Sequence, residues 1–417
     1  MEARKRQTFF YLGLALLPSC ADDDASLNQE SSSTSEDIEF VSRDPSDLPL
    51  PDLPEEWQQR FDDGDLAFEA VFRESQGLGP VYIRHSCSSC HADDARGPGA
   101  VRKMVVLEAD SLTPAEDQSA LPYGHTIRPQ RAGTATEGIT IPEIEQPLLV
   151  STRFGPAVYG RGYLEAVADS EIERIEFEQS LRTDGISGRI HRVGYQSQAN
   201  PDLTFHAFTP ETTGLIGRFG LKARIATIDD FTADAYQGDM GITSPLRPNE
   251  LPMPPNIEDF RPGIDLDAET VNLVADYVRL LRIPKRQELP KRGPELFAAA
   301  DCSVCHVPNL RTRADYPITA LANIDAPIFT DLLLHDMGVE SSDGLQEFDA
   351  APQEWKTPPL IGLRHLRNYL HDGRAKTIES AVMMHRGIGS EANHSIDLFD
   401  SLNIEDRTIL IDYVAKL

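Results

Sequence analysis

Two segments of the chain place apolar residues at helical spacing and share a short motif. They read "AETVNLVADYVRLL" at 268–281 and "IEDRTILIDYVAKL" at 404–417, and both contain the pattern DYVxxL. Apolar residues that recur at intervals of three and four predict an amphipathic helix in each segment. The shared motif indicates that each helix closes a module of its own.

A second repeated motif lies upstream of each of these helices. "RFGPAVYG" at 153–160 parallels "KTPPLIG" at 356–362, because in both a basic residue leads to proline and then to glycine. Two matches in the same order predict an internal duplication. We place the break at "IPKRQELPKRGPELF", where prolines and basic residues interrupt the helical pattern.

The cysteines indicate what each of the two duplicated modules binds. The pattern Cys-x-x-Cys-His occurs at 87–91 and again at 302–306, and it uses four of the five cysteines in the chain. In c-type haem attachment, two thioethers fix the porphyrin and the adjacent histidine becomes the proximal iron ligand. The sequence therefore predicts two covalently bound c-type haems, held by Cys87, Cys90, His91, Cys302, Cys305 and His306.

Three other interpretations of these cysteines are weaker. A zinc site could pool the two pairs, but it has no use for a histidine directly after each pair, and the separation is far too long for a finger or ribbon. A thioredoxin-like dithiol would need one pair at the start of a helix in a βαβ unit, a pattern that neither site shows. A disulfide between cysteines three apart would close a small, strained loop.

The predicted fold is mainly α, with two cytochrome c-like haem modules in tandem. The first module spans 57–284 and the second 288–417. In the second, "GPELFAAADCSVCH" predicts a short helix before the haem motif. The first module carries an insertion at about 105–225, where Gly, Pro and Thr predict loops and a few short strands.

The N-terminus predicts export. Basic residues precede a short apolar run within residues 1–19, which is typical of a signal peptide. Leu-Pro-Ser-Cys then resembles a bacterial lipobox that would make Cys20 the lipidated first residue. The segment 20–56 is acidic and rich in Ser and Pro, which predicts a disordered tether. We therefore expect a lipid-anchored protein on the periplasmic face of a bacterial membrane.

The formal net charge is −28, from 67 acidic and 39 basic residues. Such a balance disfavours nucleic acid as a partner. The charge serves either general solubility or the steering of a cationic redox partner. No other run is apolar enough to predict a transmembrane helix.

The chain contains several further distinctive motifs. They are "GRFGLKA" at 217–223, "GDMGITSPL" at 238–246, "TDLLLHDMG" at 330–338, "WKTPPLIGL" at 355–363 and "LHDGRAKTIESAVMMH" at 370–385. Together they resemble the bacterial di-haem oxidoreductase family, whose members are often described as thiol oxidoreductases. The second half is also similar to the more distant di-haem cytochrome c peroxidases and to the methylamine-utilisation di-haem enzyme.

The resemblance implies a second axial ligand for the C-terminal haem. In the relatives that residue stands eight positions after a helix-opening threonine, and eight positions after Thr377 is His385, with Met383 and Met384 as rivals. The sixth ligand of the first haem stays undecided among His125, Met240, His85 and an open site. Nothing in the cysteine inventory supports a thiol oxidoreductase activity.

The resemblance implies an oxidoreductase in which a small redox protein or another donor supplies electrons. They would pass through the C-terminal haem to the N-terminal haem, where an oxidant such as hydrogen peroxide is reduced. Trp355 is a candidate to assist electron transfer or a buried packing residue, and His371 is expected to be structural or close to a haem edge rather than an iron ligand. The alternatives are a non-catalytic electron carrier in a membrane-associated complex and an enzyme that oxidises a protein or small molecule. Asp184 alone offers too few oxygens for Ca²⁺.

Overall fold

The fold is known from a computed structural model that describes residues 48–92, 99–133, 135–198, 200–202, 205, 212–254 and 263–417. These residues all belong to one compact unit. The predicted signal peptide, Cys20 and the tether as far as residue 47 lie outside the described residues.

Helices provide the framework but not the bulk of the described chain. Including short 3-10 turns, they make up 32% of the described residues. The prediction of a mainly α fold was therefore too strong, because long irregular segments and short strands connect the helices. The helices are α1 Glu55–Glu69, α2 Arg161–Ala166, α3 Asp169–Ser180, α4 Ile228–Met240, α5 Ala268–Leu280, α6 Gly293–Ala299, α7 Cys302–Cys305, α8 Ile378–Met383, α9 Asn393–Ser401 and α10 Ile404–Ala415.

The strands of the described residues form five two-stranded antiparallel sheets. In the longest, β2 pairs with β4 from Ala100 opposite Phe154 to Val106 opposite Leu148. The pairs are β1 Val81–Tyr82 with β3 Gln130–Arg131, β2 Ala100–Val106 with β4 Leu148–Phe154, β5 Arg192–Val193 with β6 Leu215–Ile216, β7 Leu310–Arg311 with β8 Asp325–Ala326, and β9 Leu334–Asp336 with β10 Glu354–Lys356.

The predicted insertion contains more helix than the sequence indicated. Short strands and loops are present in 105–225, as expected, but so are α2 and the 12-residue α3. Ile172 and Ile175 of α3 are buried in a core shared with residues of the second half, among them Leu310. This part of the chain is therefore built into the centre of the protein rather than added at its edge.

The two helices with the shared DYVxxL motif pack in the same way. α5 crosses α1, and α10 crosses α6. A Cβ atom added at Gly64 of α1 would lie 2.7 Å from Cβ of Tyr277, and one added at Gly293 of α6 would lie 2.5 Å from Cδ2 of Tyr413. In both pairs a phenylalanine four residues after the glycine also contacts the tyrosine ring: Phe68 in α1 and Phe297 in α6.

The two copies of the second repeated motif, 153–160 and 356–362, also have matching conformations, and they contact each other. Gly160 and Gly362 both adopt positive φ, +70° and +62°. A Cβ on Gly160 would lie 2.7 Å from Cδ1 of Ile361, and one on Gly362 would lie 2.6 Å from the hydroxyl of Tyr159. Only glycine suits both the left-handed backbone and this close approach.

The folded part begins before Trp57, where the sequence places the first module. Leu50 is 2% exposed, and its backbone N–H donates to the carbonyl of Leu280 at 2.8 Å. The carbonyl of Leu48 accepts from Arg282 at 3.0 Å. Residues 48–56 are thus anchored to the end of α5 and do not belong to a free tether.

Across the ranges that the structure describes, no helix has both the length and the apolar character needed to cross a membrane.

Candidate functional site

Both Cys-x-x-Cys-His motifs open onto one cavity. Its empty space, including the opening to solvent, measures about 2460 Å³, and most of its walls are apolar. The walls are drawn from α4, from 154–161, from 355–363 and from α8 and the residues after it. The predicted haem residues that line it are Cys87, Cys90, His91, Cys305, His306 and His385.

The second motif is presented by two short helices. α6 leads into α7, which holds Cys302 and Cys305, and His306 follows directly. The Nδ1 atom of His306 lies 3.2 Å from the carbonyl oxygen of Phe329, so this nitrogen can donate and Nε2 is left for the cavity. Burial and, to a smaller extent, the neighbouring His385 lower the pKa of His306 to about 4. The ring is therefore neutral, as an iron ligand must be.

His385 approaches the same space from another element. Thr377 caps α8 through a reciprocal pair of hydrogen bonds with Ser380, and His385 stands two residues after the helix ends. Its Nδ1 atom donates to the carbonyl of Ala381 at 2.7 Å. Burial lowers its pKa as well. A backbone bond at Nδ1 fixes the tautomer that offers Nε2 to a metal.

The rival ligands on α8 and beyond are placed differently. Met384 lines the cavity with His385, whereas Met383 lies outside its wall. Met383 is 38% exposed and Met384 is 39% exposed. His306 and His385 both line the cavity with Nδ1 bonded to a backbone carbonyl, and the charge of His385 acts on His306, which favours this pair over either methionine.

The first motif is closely packed against glycines. A Cβ on Gly155 would lie 2.9 Å from Cε1 of His91, and one on Gly99 would lie 2.7 Å from Sγ of Cys90. Burial raises the pKa of Cys87 to about 12 and that of Cys90 to about 11. A thiol that stays protonated is a poor nucleophile, which disfavours a dithiol reaction at this motif.

The predicted candidates for the sixth position of the first haem are not equivalent. His125 binds the carbonyl of Met104 through Nδ1 at 2.8 Å and lies outside the cavity wall. His85 is exposed and also lies outside the wall. Met240, at the end of α4, is buried and lines the cavity. Of the three, Met240 alone shares this space with His91.

The structure reveals a further correspondence, between α4 and α8. Each helix follows a threonine N-cap, Thr227 or Thr377, and each begins with isoleucine and an acidic residue. Equivalent positions on the two helices face the cavity, and Ala235 stands where His385 stands. The matching cavity-lining residues are Ile228, Phe231, Thr232 and Ala235 after Thr227, and Ile378, Ala381, Val382 and His385 after Thr377.

Comparison with known proteins identifies the family of the chain. The sequence model of the family described as "Di-haem oxidoreductase, putative peroxidase" matches residues 129–417. The chain belongs to the di-haem oxidoreductase family. No curated protein matches it. The hydrazine synthase of Kuenenia stuttgartiensis, in crystals pressurised with 20 bar xenon, aligns with 97% of this chain and 100% of that chain, at 13% identity and a TM-score of 0.37.

Family membership implies haem, and the cavity residues of this di-haem oxidoreductase fit it. The wall offers two cysteine motifs, neutral imidazoles with Nδ1 engaged, and an apolar interior. Among the described residues, neither group of potential metal ligands combines cysteines from the two motifs. A pooled zinc site therefore finds no support.

Trp355 is buried in the cavity wall between charged and aromatic neighbours. The ring of His371 stacks on the indole with a centroid distance of 3.8 Å and an angle of 9°. Nζ of Lys222 lies 4.0 Å from the indole centroid, and two groups this close must occupy opposite faces. The indole N–H donates to the carbonyl of Ser341 at 2.8 Å. Trp355 thus has a fixed orientation, and His371 contacts it rather than a predicted iron ligand.

His335 is a cavity residue that the sequence analysis did not select. It is 3% exposed, lies beside Cys305, and places Nε2 at 2.9 Å from Asp331 and Nδ1 at 2.7 Å from Glu391. Although burial opposes the charge, Cys305 and the Asp331 carboxylate raise its pKa well above the usual value. His335 lies within the family motif at 330–338, which could have drawn attention to it, but the sequence did not reveal its two acidic partners.

Asp184 belongs to a small cluster with Asp301 and His394. The guanidinium of Arg182 bonds to both carboxylates, at 3.0 Å in the case of Asp301. A positive group therefore already balances these acids, and the cluster gives no support for Ca²⁺.

Proposed function

We propose that this protein is an exported di-haem c-type cytochrome enzyme that reduces an oxidant such as hydrogen peroxide with electrons from a protein donor. Covalently bound haem would supply the redox-active iron. The balanced reaction takes two electrons and two protons per peroxide and yields two water molecules. Electrons would enter on the side of His306 and be used on the side of His91.

The observation that carries this proposal is the contrast between Ala235 and His385. Each residue stands eight positions after the threonine that precedes its helix, and both line the cavity, although Ala235 lies within α4 and His385 lies just after the end of α8. Histidine can fill a coordination position, whereas alanine has no donor atom. We infer that the second iron is bound by two histidines and that the first has a position free for peroxide, which reacts only at a vacant or displaceable site.

The wall near Ala235 also contains a carboxyl group. Asp239 stands four residues later on α4, on the same face of the helix, and lines the cavity. Its charge acts on both Cys87 and Cys90, which places it beside the first motif. Cleavage of an O–O bond needs a proton at the departing oxygen, and we assign its delivery to Asp239.

The decisive experiment uses the protein matured with both haems and the variant Ala235→His. Low-temperature EPR of the oxidised and half-reduced wild type should show a high-spin ferric signal that peroxide consumes. The variant supplies the missing imidazole, so this signal should become low-spin and peroxide turnover should fall at least about 100-fold. Ala235→Ser is the matched control and should keep the high-spin signal.

A different result would favour an electron carrier. Two low-spin signals in wild type, unchanged by peroxide in both redox states, would contradict the enzyme. The electron-carrier alternative is supported by Met240, which is buried in the same cavity wall as His91 and could act as the second ligand of the first haem. In that case Met240→Leu should create a high-spin species, which would identify the ligand.

Export and lipid anchoring are part of the proposal because covalent haem attachment in bacteria takes place outside the cytoplasmic membrane. They rest on the leader and on Cys20, which lie outside the described residues. Replacing Cys20 with Ala should release the protein from the membrane fraction.

A further inference from the structure

Two buried cations in the cavity wall form no ion pair and no hydrogen bond with a carboxylate among the described residues. Arg161 and Lys356 are each 8% exposed, and both line the cavity. Nε of Arg161 donates to the carbonyl of Ala157 at 2.6 Å. Within the described ranges, neither side chain forms an ion pair with a carboxylate, and the ammonium of Lys356 makes no hydrogen bond.

Two other buried arginines in the described chain do pair with carboxylates. Arg153 bonds to Asp343 and Glu347, each at 2.6 Å. Arg279 bonds to Glu165 at 2.7 Å and to Asp276 at 2.9 Å. The chain has 67 acidic residues, so carboxylates are abundant. A buried charge without a partner is costly, and its presence at two positions of one wall points to an anion that the chain itself does not provide.

The charge of Arg161 also acts on Lys356. Burial and, to a smaller extent, Arg161 lower the pKa of Lys356 to about 7, while Asp331 opposes them. Burial likewise lowers the pKa of Arg161 to about 10. Two like charges held together in an apolar wall repel each other unless an anion lies between or beside them.

The pair is located where the two halves of the site meet. Arg161 directly follows Gly160, and Lys356 begins the segment that ends at Gly362. These two glycine turns contact each other. A carboxylate at this junction would be within the cavity that both motifs share.

We propose that Arg161 and Lys356 form a carboxylate receptor that binds haem propionate groups at the junction of the two motifs. The inference rests on the haem content given in the proposed function. Guanidinium binds carboxylate in a planar, two-bonded arrangement, and ammonium binds it as a point charge. The pair would orient the porphyrin and neutralise its side chains in an apolar wall.

The test compares wild type, Lys356→Met, Arg161→Gln and the charge-preserving Lys356→Arg, each matured with both haems. Haem content is measured first by alkaline pyridine spectra and mass. Each haem is then titrated potentiometrically at pH 6, 7 and 8. Arg128→Met is the matched control, because Arg128 is equally buried and carries no described carboxylate bond, but lies outside the cavity wall.

We expect wild type and Arg128→Met to have potentials that change little across this pH range. In Lys356→Met and Arg161→Gln, at least one haem should have a lower potential, because loss of a nearby positive charge favours ferric iron. The uncompensated propionate should then take up a proton on reduction, so that this potential falls further as the pH rises. Lys356→Arg should restore the wild-type behaviour.

The proposal is wrong if both charge-removing variants bind two haems and retain wild-type potentials at every pH. A second set of results would also contradict the proposal. Acetate or chloride would shift the haem spectra of wild type but not those of Lys356→Met, and in anion-free buffer the two proteins would have the same potentials. The pair would then bind an external anion rather than a propionate. Wild-type protein without haem would contradict the proposed function instead. If Lys356→Met does not assemble, Arg161→Gln decides the question by the same criteria.

Discussion

At the scale of single residues, His335 shows how burial and charge are combined at the cavity. Its ring lies between Asp331 and Glu391, whose pKa values are lowered although their burial opposes this, because the His335 charge acts on both. A buried imidazolium with two carboxylate partners is costly to interrupt, since removal of one group leaves the others unpaired. The cluster therefore fixes the wall beside Cys305.

The substitution His335→Gln should lower the free energy of unfolding by about 3–5 kcal/mol at pH 6. The raised pKa of His335 gives stability that is complete below its unfolded value and is lost as the pH rises through the folded value. The lowered pKa values of Asp331 and Glu391 give stability that is lost as the pH falls. The difference between variant and wild type should therefore be largest near pH 6 and shrink towards pH 4.

Denaturant unfolding of the haem-loaded protein at several pH values measures this difference. His125→Gln is the control, because His125 makes one backbone hydrogen bond outside the cavity wall, worth about 1 kcal/mol. A difference between His335→Gln and wild type that does not change between pH 6 and pH 4 would show that the ion cluster is not the source of the stability.

At the scale of elements, the two helix crossings are the firmest sign of duplication. α1 with α5 and α6 with α10 each bring a glycine against a tyrosine. The glycines are necessary because a side chain at Gly64 would meet the carbonyl of Leu273 and one at Gly293 would meet the ring of Tyr413. The sequence alone showed the tyrosines through the DYVxxL motif, but not the glycines, which lie on helices without an obvious sequence match.

Replacing Gly64 or Gly293 with alanine should destabilise the protein by about 1–3 kcal/mol, the usual cost of overpacking. The Gly64 variant meets Tyr277 and the backbone carbonyl of Leu273, which cannot move aside. Gly194→Ala is the control, since no atom lies within 4 Å of a Cβ built there. Thermal unfolding compares the three variants, and equal midpoints for all three would contradict the close contact.

The element scale also explains what the sequence could and could not predict. The haem motifs were visible because cysteine is rare and its spacing is chemically specific. The equivalence of α4 and α8 was hidden, because a threonine, an isoleucine and an acidic residue are common, and only the shared cavity shows which faces correspond. The fraction of helix was overestimated because apolar residues recur at helical spacing in the two DYVxxL segments. The irregular segments that line the cavity have no such recurrence and so gave no signal in the sequence.

At the scale of the whole molecule, the charge of −28 bears on the choice of electron donor. A strongly acidic protein attracts a basic partner over distances that salt screens. The rate of reduction by a basic cytochrome c should therefore fall by about 10-fold or more between 10 and 150 mM salt. Stopped-flow measurements with an acidic donor provide the control, and the same weak dependence for both donors would assign the charge to solubility alone.

The shared cavity has a consequence for the order of biosynthesis. Its walls come from segments that precede and follow each motif, and the two glycine turns join them across the middle. Once these segments have closed, a porphyrin and its attachment machinery would have to reach the cysteines through the opening of the cavity. We therefore expect both haems to be attached before the chain has folded around the cavity. Without the attachment machinery, the protein should accumulate in a partly folded state.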